Sequence, residues 1–176
     1  MKRAFALVIC AATLAAAAVA LTQPSAAPPF RAKGPAQPIN FSHQIHAGKL
    51  GMNCLYCHSS AEKSSIANIP AVSTCMGCHK MVRADQPEIQ KLAGYFERNE
   101  QVQWVEVYSL PAHVKFNHKR HVKAGLACQQ CHGPVETMPV LYQYPSLKMG
   151  WCVSCHRQRL DDPKFPTSMD CLICHH

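Results

Sequence analysis

Five copies of the sequence Cys-x-x-Cys-His lie between residues 54 and 175 of this 176-residue chain. In a helix-like turn, cysteines three residues apart lie on one side, where their sulfurs can form thioether bonds with the two vinyl groups of one porphyrin. The histidine that follows can then bind the heme iron as its proximal ligand. The pattern is typical of c-type heme attachment. The five motifs are Cys54-Leu-Tyr-Cys57-His58, Cys75-Met-Gly-Cys78-His79, Cys128-Gln-Gln-Cys131-His132, Cys152-Val-Ser-Cys155-His156 and Cys171-Leu-Ile-Cys174-His175.

Structural zinc sites and disulfide frameworks also use paired cysteines. Neither explains why a histidine directly follows every pair. Ten of the eleven cysteines belong to the motifs, and the remaining one, Cys10, lies in an apolar N-terminal segment. The sequence therefore predicts five covalently attached hemes c.

An electron-transfer heme needs a second axial ligand beyond the motif histidine. Six histidines lie outside the motifs, and four of them form two His-x-x-His pairs upstream of heme motifs. A spacing of three residues lets both imidazoles leave one helical turn toward different irons. The four predicted distal ligands are His43, His46, His118 and His121. The fifth distal ligand stays open among His113, Met138, Met149 and His176.

The chain contains an internal repeat. The pattern Phe-x-His-x-x-His occurs at residues 41–46 and again at 116–121. In each copy a glycine and then two heme motifs follow, and the fifth motif stands at the C-terminal end. Repetition of one unit predicts two similar modules, each with a heme pair, and one appended heme.

The N-terminal residues predict export. Residues 1–21 have a basic start followed by an uncharged apolar stretch, which is typical of a secretory signal and is also just long enough to anchor the chain in a membrane. Both possibilities remain open. Residues 22–38 contain five prolines and are predicted to form a linker. The heme domain, residues 39–176, is expected on the periplasmic side of a bacterial inner membrane.

Five hemes in about 138 residues leave little polypeptide for a conventional core. We therefore expect one compact domain, mainly irregular with short α-helices, packed around the porphyrins. The formal charge of +8 does not predict nucleic-acid binding, because each heme would bring two negatively charged propionates.

The insert between the modules carries two local patterns. Ile89, Leu92, Ala93 and Phe96 form an apolar stripe at helical spacing, which predicts an amphipathic helix over residues 87–101. Residues 102–108 are rich in β-branched and aromatic side chains and predict a short extended segment.

Several segments together resemble the pentaheme cytochrome subunit of alternative complex III, a multiheme cytochrome of the class III type. They are Phe41-Ser-His-Gln-Ile-His46, Cys54-Leu-Tyr-Cys-His-Ser-Ser-Ala61, Ile69-Pro-Ala-Val-Ser-Thr-Cys75-Met-Gly-Cys-His-Lys80, Val114-Lys-Phe-Asn-His-Lys-Arg-His-Val122, Cys128-Gln-Gln-Cys-His-Gly-Pro134 and Met149-Gly-Trp-Cys-Val-Ser-Cys-His-Arg157. The resemblance implies an electron-relay subunit of a membrane quinol-oxidising complex. Its implied partners are an iron–sulfur subunit and a downstream cytochrome c or oxidase.

Two other function classes compete with this interpretation. A free periplasmic multiheme shuttle would use the same motifs without stable partners. A multiheme reductase would need a heme with an open distal position, often marked by lysine in the attachment motif, and no Cys-x-x-Cys-Lys occurs here. The sequence therefore favours an electron carrier without catalytic residues of its own.

Overall fold

A computed structural model describes residues 33–176. In these residues the chain forms short helices joined by irregular segments, and it contains no β-strand. The predicted signal or anchor segment lies outside the described residues. The α-helices are α1 (Cys54–Cys57), α2 (Val72–His79), α3 (Pro87–Glu97), α4 (His118–Lys123), α5 (Cys128–His132) and α6 (Met149–Gln158). A π-helix spans Gln44–Lys49, and two 3-10 turns span Val135–Thr137 and Cys171–Ile173.

No helix within residues 33–176 has the length and apolar character that crossing a membrane requires.

Local capping determines where the first and last heme motifs begin to turn. The side chain of Asn53 accepts a hydrogen bond from the Leu55 N–H at 2.8 Å at the start of α1. Asp170 accepts one from the Leu172 N–H at 3.0 Å at the start of the second 3-10 turn. Such caps satisfy N–H groups that a first turn leaves without partners. Two attachment turns therefore begin at positions that the sequence itself defines.

The helix predicted over residues 87–101 is α3, and it ends at Glu97. The backbone turns left-handed at Asn99, where φ is 53°. The N–H of Glu100 then donates to the Tyr95 carbonyl at 2.9 Å, closing the last turn. Asparagine tolerates this conformation better than most residues, so it stops the helix before the predicted end.

The apolar core is small and lies in the first module and the insert. Its buried members are Ile39, Val72, Met76, Leu92 and Val102. Helices α2 and α3 pack together there. In residues 114–176, Met138 is the one apolar side chain that is buried. A folded segment of that length with so few buried side chains needs another group to fill its interior.

The end of the predicted linker is docked on the insert. The Gln37 side chain donates to the Val105 carbonyl at 2.9 Å and accepts from the Val105 N–H at 2.9 Å. A glutamine amide thus takes the place of a neighbouring strand. This explains why residues 102–108, which the sequence predicts to be extended, form no strand.

Candidate heme-binding sites

Each of the five attachment motifs lies in a helical turn, as the spacing of its cysteines predicts. The first is α1, the second ends α2, the third is α5, the fourth lies within α6, and the fifth includes the second 3-10 turn. No disulfide joins any of the ten motif cysteines. Each motif therefore presents two sulfurs from a single turn.

Four of the five motif histidines are oriented by a backbone carbonyl. Because a carbonyl oxygen can only accept a hydrogen bond, the Nδ1 atom of each ring must carry the proton, which leaves the lone pair on Nε2. That arrangement fixes the ring and prepares Nε2 to bind a metal. The Nδ1–oxygen distances are 2.6 Å from His58 to Asn68, 2.9 Å from His79 to Val82, 3.0 Å from His156 to Ser168 and 3.1 Å from His175 to His113.

The one remaining motif histidine, His132 of the third motif, is held by an aromatic neighbour. The ring of Tyr108 meets the His132 ring edge to face at a centroid distance of 4.6 Å. The Tyr108 hydroxyl also lies 3.1 Å from the His132 carbonyl. Sequence reasoning did not identify this tyrosine, because its position in the insert carries no motif.

The second histidine of each repeat is oriented in the same way in both modules. Nδ1 of His46 donates to the Ser42 carbonyl at 2.9 Å, and Nδ1 of His121 donates to the Asn117 carbonyl at 2.8 Å. Both partners lie four residues upstream, so this contact is local and repeats with the sequence.

The phenylalanine of each repeat holds both histidines of its own pair. Phe41 stacks on His46 at 4.5 Å and meets His43 edge to face at 4.9 Å. Phe116 makes the same two contacts in the second module at 4.5 Å and 4.8 Å. The aromatic residue of the pattern therefore sets the two imidazole directions.

Four non-motif histidines each face a motif histidine. The ring-centroid distances are 6.1 Å for His46 and His79, 6.3 Å for His118 and His132, 6.3 Å for His121 and His156, and 5.6 Å for His113 and His175. Two imidazoles bound to one metal from opposite sides have centroids about 6 Å apart, since each nitrogen–metal bond is about 2 Å and each nitrogen lies about 1 Å from its ring centre. The residues present therefore fit a heme iron with two axial histidines.

His43 and His58 are the non-motif and the motif histidine that remain, and they are near enough for the charge of His58 to act on His43. Burial, followed by the charges of His58, His46 and His132, lowers the pKa of His43 to about 4. Burial, followed by His118 and His58, likewise lowers the pKa of His132 to about 4. Both rings are therefore neutral near pH 7, as a metal ligand must be.

The other candidates for the fifth distal ligand differ in their surroundings. Met138 is fully buried, Met149 is 65% exposed, and Nδ1 of His176 donates to the Leu172 carbonyl at 3.1 Å. The ring of His113, by contrast, faces the ring of the motif histidine His175 at a centroid distance of 5.6 Å. The structure thus brings His113 to a heme motif and leaves His176 exposed at the end of the chain.

The repeat and the motifs also match a known family. The model of that family, described as cytochrome c7 and related cytochrome c, matches residues 39–99 and 114–176. This chain belongs to that family of multiheme cytochromes. Each match covers one of the two predicted modules: the first match also includes helix α3 of the insert, the second also includes the fifth motif, and residues 100–113 separate them. Family membership implies covalent c-type heme and electron transfer.

A similar protein is the multiheme cytochrome c subunit of a menaquinone reductase from Nitratidesulfovibrio vulgaris (strain Hildenborough). It is 34% identical to this cytochrome over 132 residues, which cover 74% of this chain and 56% of the relative. This cytochrome thus spans about half the length of the curated relative that it matches.

Proposed function

We propose that this cytochrome carries five c-type hemes, each with two axial histidines, and relays electrons as a subunit of a quinone-linked membrane complex. The observation that carries the proposal is that four non-motif histidines each face a motif histidine at the separation that one shared metal requires. The proposed axial pairs are His58 with His43, His79 with His46, His132 with His118, His156 with His121, and His175 with His113.

The paired histidines bring hemes close together. His43 and His46 leave one turn toward different motifs, and His118 and His121 do the same in the second module. Two cofactors held by one turn of the chain must be close neighbours. Close heme contacts let single electrons pass along the protein, and an iron with two protein ligands has no free position for a substrate.

Interactions between cysteines of different motifs support an order for the first three hemes. Burial, and next the Cys57 thiol, raise the pKa of Cys75, so the second motif lies beside the first. Burial, and next the Cys54 thiol, raise the pKa of Cys128, so the third motif also lies beside the first. The first heme is therefore proposed to lie between the second and the third.

The same interactions extend the order to the C-terminal hemes. Burial, and next the Cys155 thiol, raise the pKa of Cys131, which connects the third and fourth motifs. Burial, and next the Cys174 thiol, raise the pKa of Cys152, which connects the fourth and fifth. The proposed path runs through the hemes in the order second, first, third, fourth, fifth. An experimental structure with the second or fifth heme between two others would contradict it.

Two likenesses support a place in a quinone-linked complex. Segments of the chain resemble the pentaheme subunit of alternative complex III, and the relative described above belongs to a menaquinone reductase. We favour a quinol-oxidising complex at the periplasmic side of the inner membrane, with an iron–sulfur subunit and a downstream cytochrome c or oxidase as partners. A free periplasmic shuttle is the second candidate.

Heme content and axial ligation are tested on the purified holoprotein. Mass spectrometry of the denatured chain should give the polypeptide plus five hemes, and a pyridine hemochrome assay should agree. Electron paramagnetic resonance of the oxidised protein should contain low-spin signals alone. Fewer than five hemes, or a high-spin heme in the unaltered protein, would contradict the proposal.

Assembly is tested separately. Membranes solubilised in mild detergent are run on a blue-native gel and stained for heme. A heme band at the mass of a multisubunit complex, from which mass spectrometry recovers this chain, is expected. Recovery of the chain alone would instead favour the free shuttle. Reduction of the hemes by a menaquinol analogue would then support the quinol-oxidising direction.

A further inference from the structure

The two modules differ at one histidine. Nδ1 of His118 donates to the Ser65 carbonyl at 2.9 Å, and the His118 main-chain N–H contacts the same oxygen at 3.1 Å. The equivalent residue, His43, has a buried Nδ1 with no hydrogen-bond partner. Its contact with the repeat phenylalanine is otherwise the same as in the second module. The difference therefore concerns the hydrogen bond rather than the ring position.

Backbone register identifies the segment that should supply the missing partner. The residue after the first histidine of each repeat donates to a loop carbonyl: Lys119 N–H to Ser64 at 3.0 Å, and Gln44 N–H to Met138 at 3.0 Å. The loop that contains Met138 therefore contacts the first repeat in the same register in which the loop that contains Ser64 contacts the second repeat. Met138 stands in the position of Ser64.

The next residue along that loop differs in type between the two modules. Pro139 stands in the position of Ser65, but its carbonyl contacts neither Nδ1 nor the N–H of His43. The proline ring fixes φ near −65° and so limits where this carbonyl can point. The serine of the other loop has no such restriction. We infer that this proline accounts for the absence of a carbonyl partner at Nδ1 of His43.

A ligating histidine normally donates its second ring nitrogen to a carbonyl, a carboxylate or water, which orients the ring and makes the ligand more basic. If Nε2 of His43 binds iron, the proton must sit on its buried, unpartnered Nδ1. We propose that the heme ligated by His43, which follows from the axial pairs assigned above, is a binding site for a small diatomic ligand of the carbon monoxide class. Binding exchanges one axial bond for another: the iron–Nε2 bond breaks, an iron–carbon bond forms, and no electron is transferred.

The test is a carbon monoxide titration of the reduced holoprotein, followed by absorption in the Soret region. Loss of an outer hydrogen bond typically weakens metal binding by roughly 10- to 100-fold. One heme per chain should therefore bind carbon monoxide at a concentration about 10- to 100-fold below that needed for any other heme. No binding at saturating carbon monoxide, or equal binding at all hemes, would overturn the proposal.

Two substitutions assign the site. His43→Ala should still bind one equivalent, now more tightly, because the same heme has lost its competitor. The matched variant His118→Ala should bind two equivalents, one at each module. A second equivalent in His43→Ala would mean that the native site is at another heme. If His43→Ala keeps five low-spin hemes before carbon monoxide is added, the axial assignment itself is wrong.

A third variant tests the cause. Pro139→Ala restores rotation about φ and should let the residue-139 carbonyl accept from Nδ1 of His43. Carbon monoxide affinity should then fall by about tenfold or more relative to the unaltered protein. An unchanged affinity would show that the proline does not control the ligand bond.

Discussion

Replacing Tyr108 by phenylalanine removes one oxygen that connects three parts of the fold. The hydroxyl lies 3.1 Å from the carbonyls of His132 and Tyr142, which share its single proton. It also accepts the N–H of Tyr144 at 3.2 Å. The insert is thereby attached to the third heme motif and to the loop that follows it.

The loss of stability follows from the backbone groups that lose their hydrogen bond to the Tyr108 hydroxyl. A hydrogen bond contributes about 0.5–1.5 kcal/mol net, and a buried group left without a partner costs about 1–3 kcal/mol. Tyr108 is only partly buried, and water can reach some of these groups. We therefore expect Tyr108→Phe to lower the free energy of unfolding by about 2 kcal/mol. For a chain of 176 residues this corresponds to a fall in Tm of about 4–8 °C.

Ionisation of the same hydroxyl should make the stability of the protein depend on pH. Burial, which is the largest cause, raises the pKa of Tyr108 above its usual value. Its stabilising effect is therefore complete below pH 10, the approximate unfolded pKa, and is lost as pH rises through the raised folded pKa. The difference in Tm between the unaltered protein and Tyr108→Phe should persist at pH 7–9 and shrink above pH 10.

The assay is thermal unfolding of the holoprotein followed by Soret circular dichroism at several pH values. Tyr56→Phe is the matched control, because Tyr56 is 57% exposed, and its Tm should not change. Equal Tm values for the unaltered protein and Tyr108→Phe at pH 7 would refute the hydrogen-bond argument. A constant difference up to pH 11 would refute the ionisation argument.

Three further predictions address the fifth heme, the buried methionine and the docked linker. His113→Ala should convert one of the five proposed hemes to high spin in electron paramagnetic resonance, whereas His176→Ala should leave all of them low-spin. The reverse result would assign His176 as the fifth distal ligand. Met138→Ala should lower the free energy of unfolding by about 2–5 kcal/mol in denaturant titration, because the side chain is fully buried, and an unchanged midpoint would show that the site collapses without loss. Gln37→Ala should speed hydrogen exchange at the Val105 amide by removing its acceptor, and unchanged exchange would contradict the docking of the linker end.

The sequence alone predicted the features that depend on residues close together in the chain. Cysteines three residues apart require one turn, and all five motifs lie in such turns. The stripe that includes Leu92 gave a helix, because periodicity and a first-turn proline act over a few residues. The repeat predicted two modules because it is a comparison of the chain with itself, and the family match covers both.

Tertiary structure decided how distant segments meet. His113 faces His175 across 62 residues, and no spacing rule connects them. Residues 102–108 had the composition of a strand but met a glutamine side chain instead of a strand partner. Likewise, the difference between Ser65 and Pro139 affects the hydrogen bonds of His118 and His43 only because each loop packs against a histidine of the other module. Local geometry is encoded by neighbours in the sequence, whereas ligand pairing depends on contacts that form only when the whole chain folds.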